Sequence, residues 1–376
     1  MKIIVAPDSF KGSLTAVQAA EHMARGIRRA SPESDIHCFP IADGGEGTAD
    51  ALIRATGGRW VPVRVMDPLM REIESGYGVL GDGETAVVEL AAASGLTLLT
   101  AAERNPMITS TYGTGQLVRA ALEDGFRKVL IGIGGSATND GGTGMLQALG
   151  VQFYNVEGKL MDPTGGTLGQ IARFDTTNLL ASCLNTDFQV ACDVDNPLCG
   201  PNGAAVVFAP QKGASPESVQ QLDEQLYAFG RLVEKQLGCD VLNLPGAGAA
   251  GGTGGALAAF LHGKLVSGIE LVLTYAGLER EIAHADLVFT GEGRLDSQTL
   301  HGKAPLGVAR AAKEYGVSVI GIAGSLGEGA ETLVAAGFNR LYGLVKPGVS
   351  VEMAMNDAGI LLEAEAERAM TAYLDI

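Results

Sequence analysis

The segment Asp286–Pro305, DLVFTGEGRLDSQTLHGKAP, releases Glu292, Arg294, Asp296, His301 and Lys303 just beyond the short apolar run Leu287–Phe289. Strands of open α/β sheets meet their ligands past their carboxyl ends. Charges crowded there are costly unless they are paired or met by an ion or substrate. Carboxylates suit a divalent cation, whereas Arg and Lys suit phosphate or a carboxylate. Three other turns repeat this chemistry. Asp8-Ser-Phe-Lys11-Gly-Ser13 follows the apolar run Ile3–Ala6 and leads into a helix, which places Lys11 and Ser13 near a helix N-terminus, where anions are favoured. Asp43-Gly-Gly-Glu46-Gly-Thr48 sets two carboxylates across two glycines, a pattern able to hold Mg²⁺ directly or through water. Asp193 ends the apolar run that starts at Gln189, where a carboxylate can accept a proton from an attacking hydroxyl.

Two glycine runs add backbone donors. Gly132–Gly142, GIGGSATNDGG, fits the dinucleotide pattern G-x-G-x-x-A between a strand and a helix. The acidic residue expected roughly 20 positions later would be Glu157, which sits in an Asn-Val-Glu-Gly turn. The same turn equally presents N–H groups to a phosphate or a polyhydroxy substrate, with Ser136 and Asn139 as substrate contacts. Gly246–Gly255 reads either as a phosphate-cradling loop or as a hinge. No G-x-x-x-x-G-K-[ST], H-E-x-x-H, Cys/His cluster or G-x-S-x-G occurs, which argues against zinc hydrolysis and a serine-hydrolase mechanism. What remains is the kit of phosphoryl transfer: cations for the phosphates, metal ligands, and a carboxylate beside the acceptor.

The elements that must carry these turns are mostly α/β. Ile3–Ala6 reads as a buried parallel strand, Thr15 and Gln18 form a capping box, and a helix with Ala16, Ala20, Met23, Ala24 and Ile27 on one stripe follows. Ile36–Ala42 and Gly47–Thr56 repeat the βα unit. Trp60–Met66, Glu72–Gly83 and Thr85–Leu90 read as antiparallel strands, Lys128–Ile133 and Gln189–Asp193 as further strands, and Pro216–Leu237 as a long amphipathic helix. From Asp286 the βα rhythm returns. The spacing predicts two domains: residues 1–60 and 285–376 sharing one discontinuous, Rossmann-like, doubly wound parallel sheet, and 61–284 inserted as a mixed α/β domain.

Composition narrows the partners. The chain has 376 residues and a net charge of −16, which disfavours nucleic acid and anionic membranes. A small anionic substrate then needs a locally positive site. No run reaches the ~18 apolar residues of a membrane span. The five Cys lack any C-x-x-C pair, which predicts reduced thiols and a cytoplasmic home. Homo-oligomer formation stays open.

Taken together, APDSFKGSL at Ala6–Leu14, ADGGEGT at Ala42–Thr48, GIGGSATNDGG at Gly132–Gly142, CDVDNPL at Cys192–Leu198, GAAGGTGG at Gly248–Gly255 and FTGEGRLDSQTLHGKAP at Phe289–Pro305 resemble the bacterial type 1 glycerate kinase family. The resemblance implies ATP-dependent phosphorylation of D-glycerate with Mg²⁺, giving 2-phosphoglycerate in glyoxylate or sugar-acid catabolism. It also implies two α/β domains, one of them discontinuous. Residue chemistry then suggests roles. Lys11 and Lys303 neutralise phosphate oxygens, Ser13 donates to an anion, and Arg294 captures the glycerate carboxylate. Asp43, Glu46 and Glu292 compete for the metal, and Asp193 or Asp296 orients or deprotonates the attacking hydroxyl. The rival readings are an NAD(P)-dependent hydroxy-acid oxidoreductase, resting on the Gly132 turn, and a non-catalytic nucleotide- or sugar-acid-binding protein.

Overall fold

The computed structural model describes residues 1–41, 47–301 and 304–375, apart from the side chains of Gln298 and His301. It is a mixed α/β chain of two units: Met1–Asp43 with Asp50–Thr56 and Gly268–Ile376, and Gly44–Ala49 with Gly57–Ser267. These bounds differ from the predicted ones at residues 60/61 and 284/285. Helices Gly268–Tyr275 and Leu278–Ile282 pack with helix Ala304–Glu314, so they join the first unit. They carry no strand-like alternation that would have marked the change.

The first unit is built on an all-parallel sheet of five strands, in the order Arg340–Gly343, Ser318–Ala323, Leu287–Gly291, Lys2–Pro7, Asp35–Cys38. The runs KIIVAP, LVFTG and SVIGIA are apolar on both faces and buried, as a sheet covered on both sides requires. Ile3, Val5, Leu287 and Phe289 share a core with Ala20, Met23 and Ile27 of helix Ala16–Ala30 and Leu362 and Ala366 of helix Ala358–Leu374. Helix Ala304–Glu314 packs against the central strands as well. The predicted capping box forms, with the Thr15 hydroxyl accepting from Gln18 N–H at 3.2 Å. Numbered along the chain, the strands lie in the order 2-1-3-4-5. Connections leave in opposite directions from the first and third strands, and ligands of such sheets bind at that switch point.

The second unit holds a mixed six-stranded sheet. Lys264–Val266, Asp187–Ala191, Lys128–Gly132 and Thr85–Glu89 run parallel, and Glu72–Val79 and Arg59–Met66 complete it antiparallel. Helix Pro216–Leu237 starts at the Ser215 cap with Pro at its first position and ends at Gly238 in the left-handed region, following the usual asymmetry of helix ends. Its Leu222, Leu226, Phe229 and Val233 enter the core. Among the described residues no helix is long and apolar enough to cross a membrane.

Asp140 and Lys212 are both buried in this second unit. The Asp140 carboxylate accepts from Thr111 N–H and hydroxyl, both at 2.8 Å, from Gly142 N–H at 3.1 Å and from Gly144 N–H at 3.2 Å. Burial nonetheless pushes its carboxyl above the usual range. Lys212 is 2% exposed; burial pulls its ammonium from 10.5 down to about 7, against the opposing charge of Asp140.

This packing makes two features testable. The first is the glycine run. At Gly251 (φ +64°) a Cβ would fall 2.2 Å from the Thr138 carbonyl oxygen and 2.5 Å from Asn139 Cα, whereas at Gly238 (φ +70°) it would meet nothing within 4 Å. Gly251→Ala should therefore cost about 2–4 kcal/mol, and Gly238→Ala only about 1 kcal/mol. Urea midpoints of the two variants test this, and equal shifts would contradict it. The second is Lys212. Its folded-state pKa is depressed, so the unfolded chain binds the extra proton between about 7 and 10.5, and stability must rise with pH across that window. The stability difference between wild type and Lys212→Met should grow over the same range; a pH-independent difference would refute the assignment.

Candidate functional site

The first unit assembles its charged residues at the switch point. Pro7 pairs with Gly291, and Asp8 N–H donates to the Gly291 carbonyl at 2.8 Å. The first and third strands thus end side by side, and their next residues, Asp8 and Glu292, are both nearly buried. The chain after Asp8 folds into a tight turn in which Phe10 N–H donates to Leu14 O at 2.9 Å. A Cβ on Gly293 would lie 3.4 Å from Lys11 N, so this turn rests against the Glu292–Arg294 segment. Lys11 itself is exposed. Ser13 joins the turn by donating its hydroxyl to Phe10 O at 2.9 Å, so an anion must compete for that proton.

On the other side of the switch point, Arg294–Leu295 pairs with Ser325–Leu326 as a short parallel ladder. Arg294 Nε donates to Asp296 Oδ2 at 2.8 Å, with the guanidinium largely exposed and the carboxylate not. Asp296 therefore fixes the stem of a guanidinium whose outer end reaches the surface. The Thr299 hydroxyl donates to Glu292 Oε1 at 3.0 Å and accepts from Asp296 N–H at 3.2 Å, which ties the two acidic residues into one turn. Lys11, Ser13, Glu292, Arg294 and Asp296 thus come together, and Asp8 joins them. Sequence reasoning named Asp8 within its motif without assigning it a role; its position one residue past the strand was the available signal.

Among the described residues no group of three or more His, Cys, Asp or Glu side chains is placed to hold a metal. Asp43, Glu46 and Lys303 lie outside the described residues. Asp8 and Glu292 nevertheless fit a divalent cation. Two nearly buried carboxylates at neighbouring strand ends match a metal that takes one or two carboxylates and completes its shell with phosphate and water.

The second unit gathers a different set at the carboxyl ends of its parallel strands. Glu89 and Ala191 both stand in register with Gly132. Asp193 lies exposed two positions beyond Ala191. The Gly132–Gly142 turn carries Ser136, Thr138, Asn139 and Asp140, all buried. Lys212 Nζ donates to Ser136 Oγ at 2.7 Å and to the Thr138 carbonyl at 2.6 Å. Both polar atoms of the Asn139 side chain and the Thr138 hydroxyl are buried without a protein partner. Each such atom costs about 1–3 kcal/mol unless a water or ligand meets it.

The Gly248–Gly255 run is not a hinge. Ala249–Thr253 is buried, and Gly141 N–H donates to the Gly251 carbonyl at 2.9 Å, so the run backs the Thr138–Gly141 backbone. Lys212 was not singled out in the sequence. It stands in a plain Gln-Lys-Gly triplet, and its contacts reach 74 and 76 positions away, so no local pattern announces it.

The chain is similar to known proteins along nearly its whole length. The glycerate kinase family model matches residues 3–374. A glycerate kinase of Halalkalibacterium halodurans is 49% identical over 364 residues, covering 97% of this chain and 96% of its own. The glycerate 2-kinase of Escherichia coli is 46% identical, covering 92% and 91%. A crystal structure from Salmonella typhimurium LT2, assigned as glycerate kinase 2, superposes with a TM-score of 0.86 at 44% identity, over 100% of this chain and 98% of that one. The likeness spans every turn described above, from the Lys11 loop to the Arg294–Asp296 pair, and on that ground the chain belongs to the glycerate kinase family.

Proposed function

We propose that this protein transfers the γ-phosphoryl group of ATP, with Mg²⁺, to a hydroxyl of D-glycerate, giving 2-phosphoglycerate in glyoxylate or sugar-acid catabolism. The single observation that carries the mechanism is the seating of Lys11 against the Glu292–Asp296 segment at the switch point. A cation, buried carboxylates and a forked guanidinium then share the carboxyl end of one sheet. That is the set a loose, charge-spread phosphoryl transition state requires, because positioning and electrostatics dominate its catalysis.

The contacts support roles for Lys11, Ser13, Arg294 and Asp296, and residue type supports those of Lys303, Asp43 and Glu46. Lys11 extends its ammonium to a phosphate oxygen, with Lys303 as a second cation. Ser13 and the outer nitrogens of Arg294 bind oxyanions, Arg294 taking the glycerate carboxylate while Asp296 holds its Nε. A guanidinium fixed at one nitrogen loses less freedom when it grips a carboxylate in two-point fashion. Glu292 and Asp8 hold the metal, with Asp43 and Glu46 as further ligands. A Mg²⁺ held there would supply positive charge against the phosphates. In the second unit, Ser136 and Asn139 contact substrate, and the exposed Asp193 orients the attacking hydroxyl. Asp296 already accepts from Arg294, so its part is chiefly to keep that side chain in place. Free thiols at Cys38, Cys183, Cys192, Cys199 and Cys239 suit the reducing cytoplasm.

Phosphorus NMR of the product formed from ATP, Mg²⁺ and D-glycerate should show a secondary phosphate ester at the 2-position. A primary ester would move the acceptor to the 3-hydroxyl, and no ester at all would overturn the proposal. Lys11→Ala and Asp296→Asn should each lower kcat/KM at least ~100-fold, ~2.7 kcal/mol of transition-state stabilisation. Folded variants with near-normal kinetics would remove those residues from the mechanism.

A further inference from the structure

We infer that Lys212 is a positioning residue that fixes the polarity of the Ser136 hydroxyl, so that Ser136 donates outward to an oxyanion of the substrate. The inference rests on the reading of the Gly132–Gly142 turn as a substrate contact and assigns the part of the turn that reads charge.

Below about pH 7 Lys212 is chiefly an ammonium, which has three donors and no acceptor. Lys212 Nζ sits 2.7 Å from Ser136 Oγ and 2.6 Å from the Thr138 carbonyl. A carbonyl can only accept, so one Nζ–H is committed to Thr138. A second goes to Ser136 Oγ, whose own proton must then point away from Lys212. A hydroxyl that accepts from a cation is a stronger donor itself. The turn gains a directed donor backed by buried positive charge. A chain of net charge −16 needs such a local charge if an anion is to bind in this unit.

A purely structural tie would have a cheaper solution. Gln or Thr could donate to Thr138 O without the desolvation of an ammonium, which is considerable at 2% exposure. The turn is already anchored without Lys212. Asp140 holds its far end through four hydrogen bonds, Ala137 N–H donates to Ser94 O at 2.9 Å, and Gly141 N–H reaches Gly251 O. What Lys212 adds is the direction of one hydroxyl and charge beneath it. The neighbouring Thr138 and Asn139 side-chain atoms without protein partners mark the same turn as polar surface held ready for a guest.

The test is a double-mutant cycle on the full-length enzyme, with KM determined separately for D-glycerate and ATP and with direct glycerate binding by calorimetry. Ser136→Ala and Lys212→Met should each raise one KM about tenfold, the loss of one charge-assisted hydrogen bond, while kcat changes less. A rise in the glycerate KM assigns the oxyanion to the carboxylate, and a rise in the ATP KM assigns it to a phosphate; either supports the inference. Because Lys212 acts through Ser136, the double variant should be no worse than Ser136→Ala alone. Should Lys212→Met not fold, Lys212→Leu, which likewise offers no donor, takes its place and should show the same KM effect. Unchanged KM values in a folded Lys212 variant, with Ser136→Ala impaired, would overturn the positioning role alone. Unchanged KM values in Ser136→Ala would overturn the substrate-contact reading beneath it. Additive losses in the double variant would show that Lys212 serves something other than Ser136.

Discussion

Pairing of Lys2–Pro7 with Leu287–Gly291 is the contact on which the first unit depends. The two strands are separated in sequence by the whole of the second unit, and their register decides which side chains emerge together. The Thr290 hydroxyl donates to the Ala6 carbonyl at 2.6 Å across 284 positions, a link inside the sheet that also opposes slippage. Gly291 ends the third strand where a Cβ would fall 1.8 Å from the Ile322 carbonyl oxygen, so no other residue fits there. A shift of one residue would turn Ile3 and Val5 away from helices Ala16–Ala30 and Ala358–Leu374. It would also carry Asp8 and Lys11 out of alignment with Glu292. The same strand register that builds the core therefore sets the geometry of the charged turns.

The second unit solves a different problem, which is how to hold a polar turn rigid inside an apolar core. It does so backbone against backbone. Glycines at 251 and 252 let one chain segment approach another more closely than any side chain would permit, with Ala250 also drawn into the left-handed region at φ +52°. Strain of that kind persists only where its surroundings over-determine it. Asp140 and Lys212 bracket the turn, one bound by N–H and hydroxyl donors and the other spent on a hydroxyl and a carbonyl. Neither could be buried alone without a large desolvation cost.

Much of this is legible in the sequence. Buried strands announce themselves as β-branched runs, helix Pro216–Leu237 by its spacing and caps, and the Thr15–Gln18 box by its residue types. The charged turns stand out because Lys, Arg, Asp and Glu crowded just past an apolar run are costly there without a partner or a ligand to meet them. Three features are hidden, each for a physical reason. Lys212 owes its significance to partners distant in sequence. Helices Gly268–Tyr275 and Leu278–Ile282 are short and carry no signal of either unit, so only packing decides their membership. The Gly248–Gly255 run shares its composition with hinges and phosphate loops, and composition cannot distinguish freedom from close approach. Thr85–Glu89 shows the same limit: it pairs antiparallel with Glu72–Val79 as its pattern suggests, yet parallel with Lys128–Gly132 on its other edge.

The Gly132 turn also shows why a motif must be weighed by what its groups already do. In a dinucleotide fold the helix following the glycines points its free N–H groups at the pyrophosphate. Here the helix begins only at Thr143, runs six residues to Ala148 and is entered through a left-handed Gly142. Its first donors are committed: Gly144 N–H goes to the Asp140 carboxylate at 3.2 Å and Met145 N–H to the Thr111 hydroxyl at 2.9 Å. The anion at this helix N-terminus is the chain's own aspartate, and a pyrophosphate would have to displace it from the core. The turn can therefore address a ligand only through groups that precede Asp140, namely backbone N–H groups, the hydroxyls of Ser136 and Thr138 and the amide of Asn139. That leaves it suited to a few oxygens of a small acid or a terminal phosphate, and unsuited to the extended body of a dinucleotide.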